Sequence, residues 1–351
     1  MINKDVHVVR LIREIRKRAQ SRSMGFAIAN TSDLFENKRY YLTPLRETNT
    51  LIYGGAVVRD VATAYEIARY VDGKTDYVFV DAEKKIRKIY YGPDDVGNIE
   101  RAIRETVTQS KIITYKGNDL CVDAVDRLLE QLVVGLDTFK AGILGVGNVG
   151  AKIALRLVER GAHVTVYRRA GDKLKKIIAG LNNIKSANTI AKISMAHSLE
   201  DVFSGMDIVI ACANEKEIVG KRLLSLMNAN GPRILVDVGK GCFDEEAVEE
   251  AQCLNIPIYR LDVSVIQRHA FSAFVETSKK FDRAIGRRRI DDGISLISLG
   301  LLGRFGEIIV DDITHPTEII GISDGKGSLI SDTSLFKKSL DFAKMFISRG
   351  A

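Results

Sequence analysis

Gly145-Val146-Gly147-Asn148-Val149-Gly150 carries the GxGxxG spacing of a dinucleotide-binding turn. The chemistry such glycines serve is phosphate binding. The first allows a tight turn, the second lets backbone approach a pyrophosphate, and the third lets helix and strand pack closely. The helix that follows offers free N–H groups and the positive end of its dipole. About 20 residues further on, NAD-binding domains commonly place an acid on the ribose 2′-OH. Here the second strand instead ends at Tyr167-Arg168-Arg169, with no acid before Asp172. Arginines pair with a 2′-phosphate through charge-assisted, often bidentate hydrogen bonds, so NADP is expected over NAD. The alternatives are two solvated loop arginines, or one stacked on adenine, which serves either cofactor.

Hydride transfer leaves the protein to orient a substrate and move a proton. The pair chosen for that task is Lys116 and Asp119 in "YKGND", after a strand: the lysine polarises or protonates a carbonyl or imine, and the aspartate holds it. The same residues also suit a polar turn in which Asn118 or Asp119 caps the next helix. Tyr115 is an alternative proton donor. Ala211, Ala213, Asn214, Gly239 and Lys240 lie at strand ends where a nicotinamide is expected, and Lys240 suits a substrate carboxylate. Weaker candidates are His269, His315, the run Arg287-Arg288-Arg289, and Cys242 as a nucleophile, which only Lys240 is near enough in sequence to activate.

The elements that must position these residues alternate. Strands at 142–144, 163–167, 191–195, 207–213, 233–239 and 256–263 are separated by helical stretches, including one from Ser198, which Asp201 follows at capping-box spacing. Such alternation predicts a Rossmann-type, doubly wound parallel sheet over 137–265. Ahead of it, 25–30, 50–56, 76–82 and 111–117 read as strands with helices at 58–71 and 96–109, giving an α/β substrate domain over 1–136. A long helix from Asp123 to Val134 bridges the two. After Val263 comes a basic helix, then β-rich text with an Asp324-Gly325 turn and a last helix at 333–348, a segment (266–351) expected to pack back on the N-terminal domain.

Composition narrows the function classes. The 351 residues carry 52 basic and 45 acidic side chains, a net +7 that suits anionic ligands but is too modest and dispersed for nucleic acid. No apolar run reaches the roughly 20 residues of a membrane span, and the N-terminus lacks the apolar core of a signal peptide. The first helix is basic but has a stripe of Val8, Leu11, Ile12 and Ile15, so it is expected to pack rather than to target. Four scattered cysteines fit a reducing cytoplasm, and five histidines without HxxxH or HExxH spacing predict no metal site. The expected partners are a small-molecule substrate and further copies of the chain, with no nucleic acid and no membrane.

The layout resembles the two-domain dehydrogenases that include shikimate dehydrogenase, methylene-tetrahydrofolate dehydrogenase and the amino-acid dehydrogenases. It rests on the glycine loop, on Lys116-Gly117-Asn118-Asp119 where the shikimate group has Asn-Thr-Asp-Gly, and on Thr43-Pro44-Leu45-Arg46 where it has Ser/Thr-x-Pro-x-Lys. Arg46 stands in place of that group's catalytic lysine. The resemblance implies an N-terminal substrate domain, a Rossmann domain and C-terminal helices that return to the first. The expected activity is an NADP-preferring oxidoreductase acting on a C=O or C=N bond of a small, polar, anionic biosynthetic metabolite. The alternatives are a nucleotide-sensing regulatory protein, and a lyase, cyclase or synthase that recycles its NAD.

Overall fold

Wholly buried apolar runs such as Leu51–Val58 and Tyr77–Asp81 make the centres of sheets, since strands covered on both faces need not alternate. The computed structural model describes residues 6–31, 39–85, 99–283, 285–298 and 300–349. Residues 1–5, and 96–98 of the expected helical stretch, lie outside them. The chain divides into two units, residues 1–269 and 270–351.

The first unit holds two sheets. The N-terminal one contains β1 (Ser23–Asn30), β2 (Tyr40–Glu47), β3 (Leu51–Val58), β4 (Tyr77–Asp81) and β5 (Lys111–Tyr115), in the order β2-β3-β1-β4-β5. All are parallel except β2, which runs antiparallel to β3. Helices α1 (Val6–Ala19), α2 (Val61–Val71) and α3 (Ile99–Arg104) accompany it. The apolar stripe of α1 packs as expected, with Val8, Ile12 and Ile15 buried in the core. Strand β2 is absent from the sequence expectation. It contains Pro44, which lacks an N–H and is confined to sheet edges, and its pairing slips between Thr43 and Arg46.

Helix α4 (Gly117–Leu132) leads into the second sheet, β6 (Lys140–Leu144), β7 (His163–Tyr167), β8 (Ile193–Met195), β9 (Ile208–Ala211), β10 (Ile234–Asp237) and β11 (Ile258–Arg260). Its order is β11-β10-β9-β6-β7-β8, all parallel. That is the doubly wound Rossmann order, with its reversal between β6 and β9. Helices α5 (Asn148–Glu159), α6 (Gly171–Ile184), α7 (Lys221–Leu224) and α8 (Glu245–Cys253) connect the strands. The helix expected from Ser198 is one 3-10 turn, Glu200–Val202. The capping bonds form, with His197 and Ser198 N–H donating to Asp201, but Gly205 at φ +66° follows at once. Helix α9 (Ser264–Arg283) begins in this unit.

The second unit has a mixed sheet, β12 (Gly286–Asp291), β13 (Ile294–Ser298), β14 (Ile308–Val310) and β15 (Ile319–Ile322), and helix α10 (Lys337–Ser348). It has its own core, Leu296, Ile308, Val310, Ile313 and Ala343. Burial alone would push the Asp311 carboxyl up, but Thr317 Oγ1 and the N–H groups of Thr317 and Glu318 donate to it and hold it at about 2. A carboxyl depressed in the folded state stabilises above its ordinary value of 3.8, and that contribution is lost as pH falls through the folded value. Denaturant midpoints are therefore expected to fall between about pH 4 and pH 2 for this unit, and Asp311→Asn to flatten that fall; an unchanged slope would refute the assignment. No described helix is long and apolar enough to cross a membrane, and no described cluster of His, Cys, Asp and Glu is arranged to hold a metal.

Candidate functional site

At the reversal point of the Rossmann sheet lies a cavity of about 890 Å³. Its geometry starts from β6, whose end turns at Gly145 with φ +91°. A Cβ there would stand 2.7 Å from the Ala213 backbone nitrogen, so the loop can touch the β9 end only as glycine. A Cβ on Gly150 would lie 2.1 Å from the Gly145 carbonyl oxygen. At Gly147 nothing lies within 4 Å of that position, and the space it leaves belongs to the cavity. No side chain caps the first turn of α5, where Asn148, Val149 and Gly150 line the wall. An uncapped helix start behind a side-chain-free loop fits a pyrophosphate. Gly150→Ala is expected to destabilise the fold by about 1–3 kcal/mol through overpacking and to abolish dinucleotide binding. Calorimetric unfolding and NADPH titration at the wild-type level would count against this role.

Tyr167, Arg168 and Arg169 at and beyond the end of β7 also line the cavity, with Leu199 and Ile218. Arg168 donates to the Val146 carbonyl at 3.1 Å, which ties the second strand to the glycine loop. Arg169 pairs with Glu215 at 3.1 Å, but its side chain is 80% exposed. An ion pair in that setting contributes at most about 1 kcal/mol, so a phosphate can displace it at little cost. At the other end stand Cys212, Ala213 and Asn214.

Two segments that follow strands of the N-terminal sheet, the loop after β4 and the start of α4, also contribute to this wall. Asn118 lines it, and its amide donates to Asn148 Oδ1 at 3.4 Å. Lys85 lines it too, with its ammonium 3.0 Å from Asp81 Oδ2. Asp81, the buried last residue of β4, also accepts the N–H groups of Glu83 at 3.0 Å and Gly117 at 3.2 Å. Asn30 at the end of β1 fixes the same corner: its amide donates to the Glu83 carbonyl and its oxygen accepts the Lys85 N–H. The result is one lysine held by a buried carboxylate at the nucleotide cavity.

The structure places the other expected site residues elsewhere. Lys116 is exposed and absent from the cavity lining, and it precedes α4 without capping it. Asp119 is ion-paired with Lys152 of α5 rather than with Lys116. It is the first rung of a ladder between α4 and α5, in which Asp123 meets Arg156 and buried Asp126 meets Arg156 and Arg160. The spacings of Asp119, Asp123 and Asp126 on one helix and of Lys152, Arg156 and Arg160 on the other could have revealed it. Ala211 is fully buried within β9, behind the cavity. Gly239 packs on Ala213, with a virtual Cβ 2.1 Å from its carbonyl oxygen. Lys240 and Tyr115 line a second, smaller cavity.

Arg287 forms a bidentate pair with Glu307, Arg288 lies 5.0 Å over the Phe346 ring, and Arg289 pairs with Asp292, so the arginine run serves the second unit's own structure. His315 sits in a turn closed by Asp312, and His269 is exposed. Burial pushes the Cys242 thiol up to about 11 and raises those of Cys121 and Cys212 as well. None of the three is set up as a thiolate nucleophile at neutral pH. Sequence reasoning missed Lys85 and Asp81. The available signal was an aspartate closing the wholly apolar run "YVFVD", followed within four residues by lysines.

Residues 140–265 match the family model for the NAD-binding domain of 6-phosphogluconate dehydrogenase. No curated protein matches the chain. Similar solved structures include L-tryptophan dehydrogenase from Nostoc punctiforme, at 14% identity and a TM-score of 0.40 over 71% of this chain and 72% of that one. Another is the dipicolinate synthase A chain from Bacillus subtilis, at 12% identity and a TM-score of 0.35 over 74% and 98%. A third is the hetero-hexameric glutamate dehydrogenase from Thermus thermophilus, at 11% identity and a TM-score of 0.41 over 75% and 70%. Each is a similarity of fold. The middle of the chain is an NAD-binding Rossmann-type domain, preceded by a second α/β layer.

Proposed function

We propose that the protein is an NADP-preferring oxidoreductase acting on a C=O or C=N bond of a small, polar, anionic metabolite. One observation carries this: Lys85, held by buried Asp81 on the N-terminal sheet, reaches the same cavity that the glycine loop and Arg168 line. A nucleotide store needs only the loop. A lysine brought to that cavity by the loop after a strand of another sheet is what a proton-coupled hydride transfer asks for.

When bound, the nicotinamide supplies or accepts the hydride. The chain's residues do the rest. The glycine loop and the start of α5 hold the pyrophosphate. Arg168 and Arg169 take the adenosine end and favour a 2′-phosphate. Lys85 donates a hydrogen bond to the substrate oxygen or nitrogen and gives it a proton as charge develops there. Asp81 is a positioning residue, anchored by two backbone N–H groups so that the lysine keeps one orientation.

The test is a titration of the full chain with NADPH and NADH, followed by a scan of oxo acids, imines and hydroxy acids for change in nicotinamide absorbance. Turnover with stoichiometric consumption of NADPH supports the assignment. Tight NADPH binding with no turnover of any candidate marks a nucleotide-sensing protein instead, and turnover without net consumption marks a recycled cofactor.

A further inference from the structure

The second cavity, of about 470 Å³, lies between the ends of the N-terminal sheet and the end of β11. Its floor is made by Ala27 and Ala29, two short side chains on one face of the central strand β1, with Val57 of β3 beside Ala29. Larger residues there would fill the hollow. Over the floor stand Arg46, Lys240 and Arg260.

Thr43 and Arg46 are three residues apart on β2, and in a regular strand such residues face opposite sides. The irregularity between them adds one residue to β2, so both line this cavity. The Thr43 hydroxyl oxygen is buried and has no hydrogen-bond partner among the described residues. Such a group costs stability until something pairs with it. Lys240 has a left-handed backbone at φ +62°, unusual for a lysine. Asp237 holds it there by accepting the Lys240 and Gly241 N–H groups, and Lys216 clamps the turn by donating to the Gly239 carbonyl.

None of Arg46, Lys240 and Arg260 forms an ion pair among the described residues. Among the described residues the only carboxylate lining the cavity is Asp262, which accepts the Ser264 N–H at 2.8 Å. Three cations against one anion leave an excess of two positive charges. Two links join this cavity to the nucleotide site. Gly239, which packs on Ala213, directly precedes Lys240. Asp81, which holds Lys85, pairs across the sheet with Tyr115 of this cavity.

Resting on the oxidoreductase reading, we infer that this second cavity holds the carboxylates of the substrate, with the reacting carbon toward Lys85 and the nucleotide cavity, and that it selects small dicarboxylates. Arg46 and Arg260 offer the planar fork that matches a carboxylate, and Lys240 offers a point charge toward the nucleotide side. The alanine floor accepts the short methylene chain between two carboxylates. A monocarboxylate leaves one positive charge unanswered and is the weaker ligand.

Isothermal titration of the full chain with glutarate, butyrate and inorganic phosphate tests this, because none of them can accept a hydride. Glutarate is expected to bind at least about tenfold more tightly than butyrate. Arg46→Ala and Arg260→Ala should each weaken it about tenfold or more, with Arg46→Lys intermediate. Exposed Arg260 provides the variant that does not threaten folding. Equal affinity for butyrate, no heat with glutarate, or unchanged binding in both variants would overturn the inference. Phosphate binding as tightly as glutarate would also overturn it, by making this a general anion site. NADPH titration of the same samples separates the two readings. NADPH binding without glutarate binding removes only the dicarboxylate site, whereas glutarate binding without NADPH binding removes only the oxidoreductase.

Discussion

Replacing Arg168 and Arg169 together with alanine is expected to weaken NADPH about 100-fold while leaving NADH within about threefold. The estimate follows from two charge-assisted hydrogen bonds to the 2′-phosphate, discounted to about 1.4 kcal/mol each because Arg169 is largely exposed. Each such increment is tenfold in affinity. Fluorescence titration of both cofactors reads it out, and the NADPH advantage should shrink as salt is raised. Glu215→Gln runs the other way: it frees Arg169 from its ion pair and should tighten NADPH severalfold. An equal loss for both cofactors would show that the arginines brace the loop, as the bond from Arg168 to the Val146 carbonyl allows, and do not select the phosphate.

The second large effect belongs to Lys85. Lys85→Ala should lower kcat by about 10²- to 10⁴-fold, the range for loss of a positioned proton donor, with the NADPH dissociation constant unchanged. Small alkylamines in the buffer should restore part of the rate by occupying the vacated space. Asp81→Asn should lower kcat with little change in KM, because the ammonium loses the carboxylate that orients it. Lys116→Ala and Asp119→Ala serve as the comparison: Lys116 is exposed and Asp119 belongs to the α4–α5 ladder. A loss of kcat on replacing Lys116, with Lys85→Ala active, would return the proton-transfer role to Lys116. Circular dichroism of the Asp81 variant is needed alongside, since removing a buried acceptor that serves two backbone donors costs about 1–3 kcal/mol.

Much of the architecture was legible because it depends on local pattern. The six Rossmann strands and four of the five N-terminal strands are apolar runs bounded by turns, and a parallel sheet needs little more. Strand β2 was illegible because Pro44 and its charged neighbours suit an edge, where pairing is dictated by the partner strand. The turn at Glu200–Val202 carried a true capping box, yet capping fixes only where a helix starts and not how far it runs.

The sequence by itself determined the dinucleotide turn, the order of the six Rossmann strands and the arginines at the end of β7. Each of these is set by residues near one another in the chain, through backbone freedom at glycine, apolar periodicity and charge. The tertiary structure decided which polar side chains share a cavity. Lys85 and Gly145 are 60 residues apart and follow strands of different sheets, and they line one wall only because α4 packs on α5. Lys116 and Asp119, three residues apart and chemically apt, diverge because one helical turn sends Asp119 to Lys152 and leaves Lys116 in solvent. Proximity along a chain fixes local conformation, whereas a site is a meeting of strand ends, and packing alone chooses which ends meet.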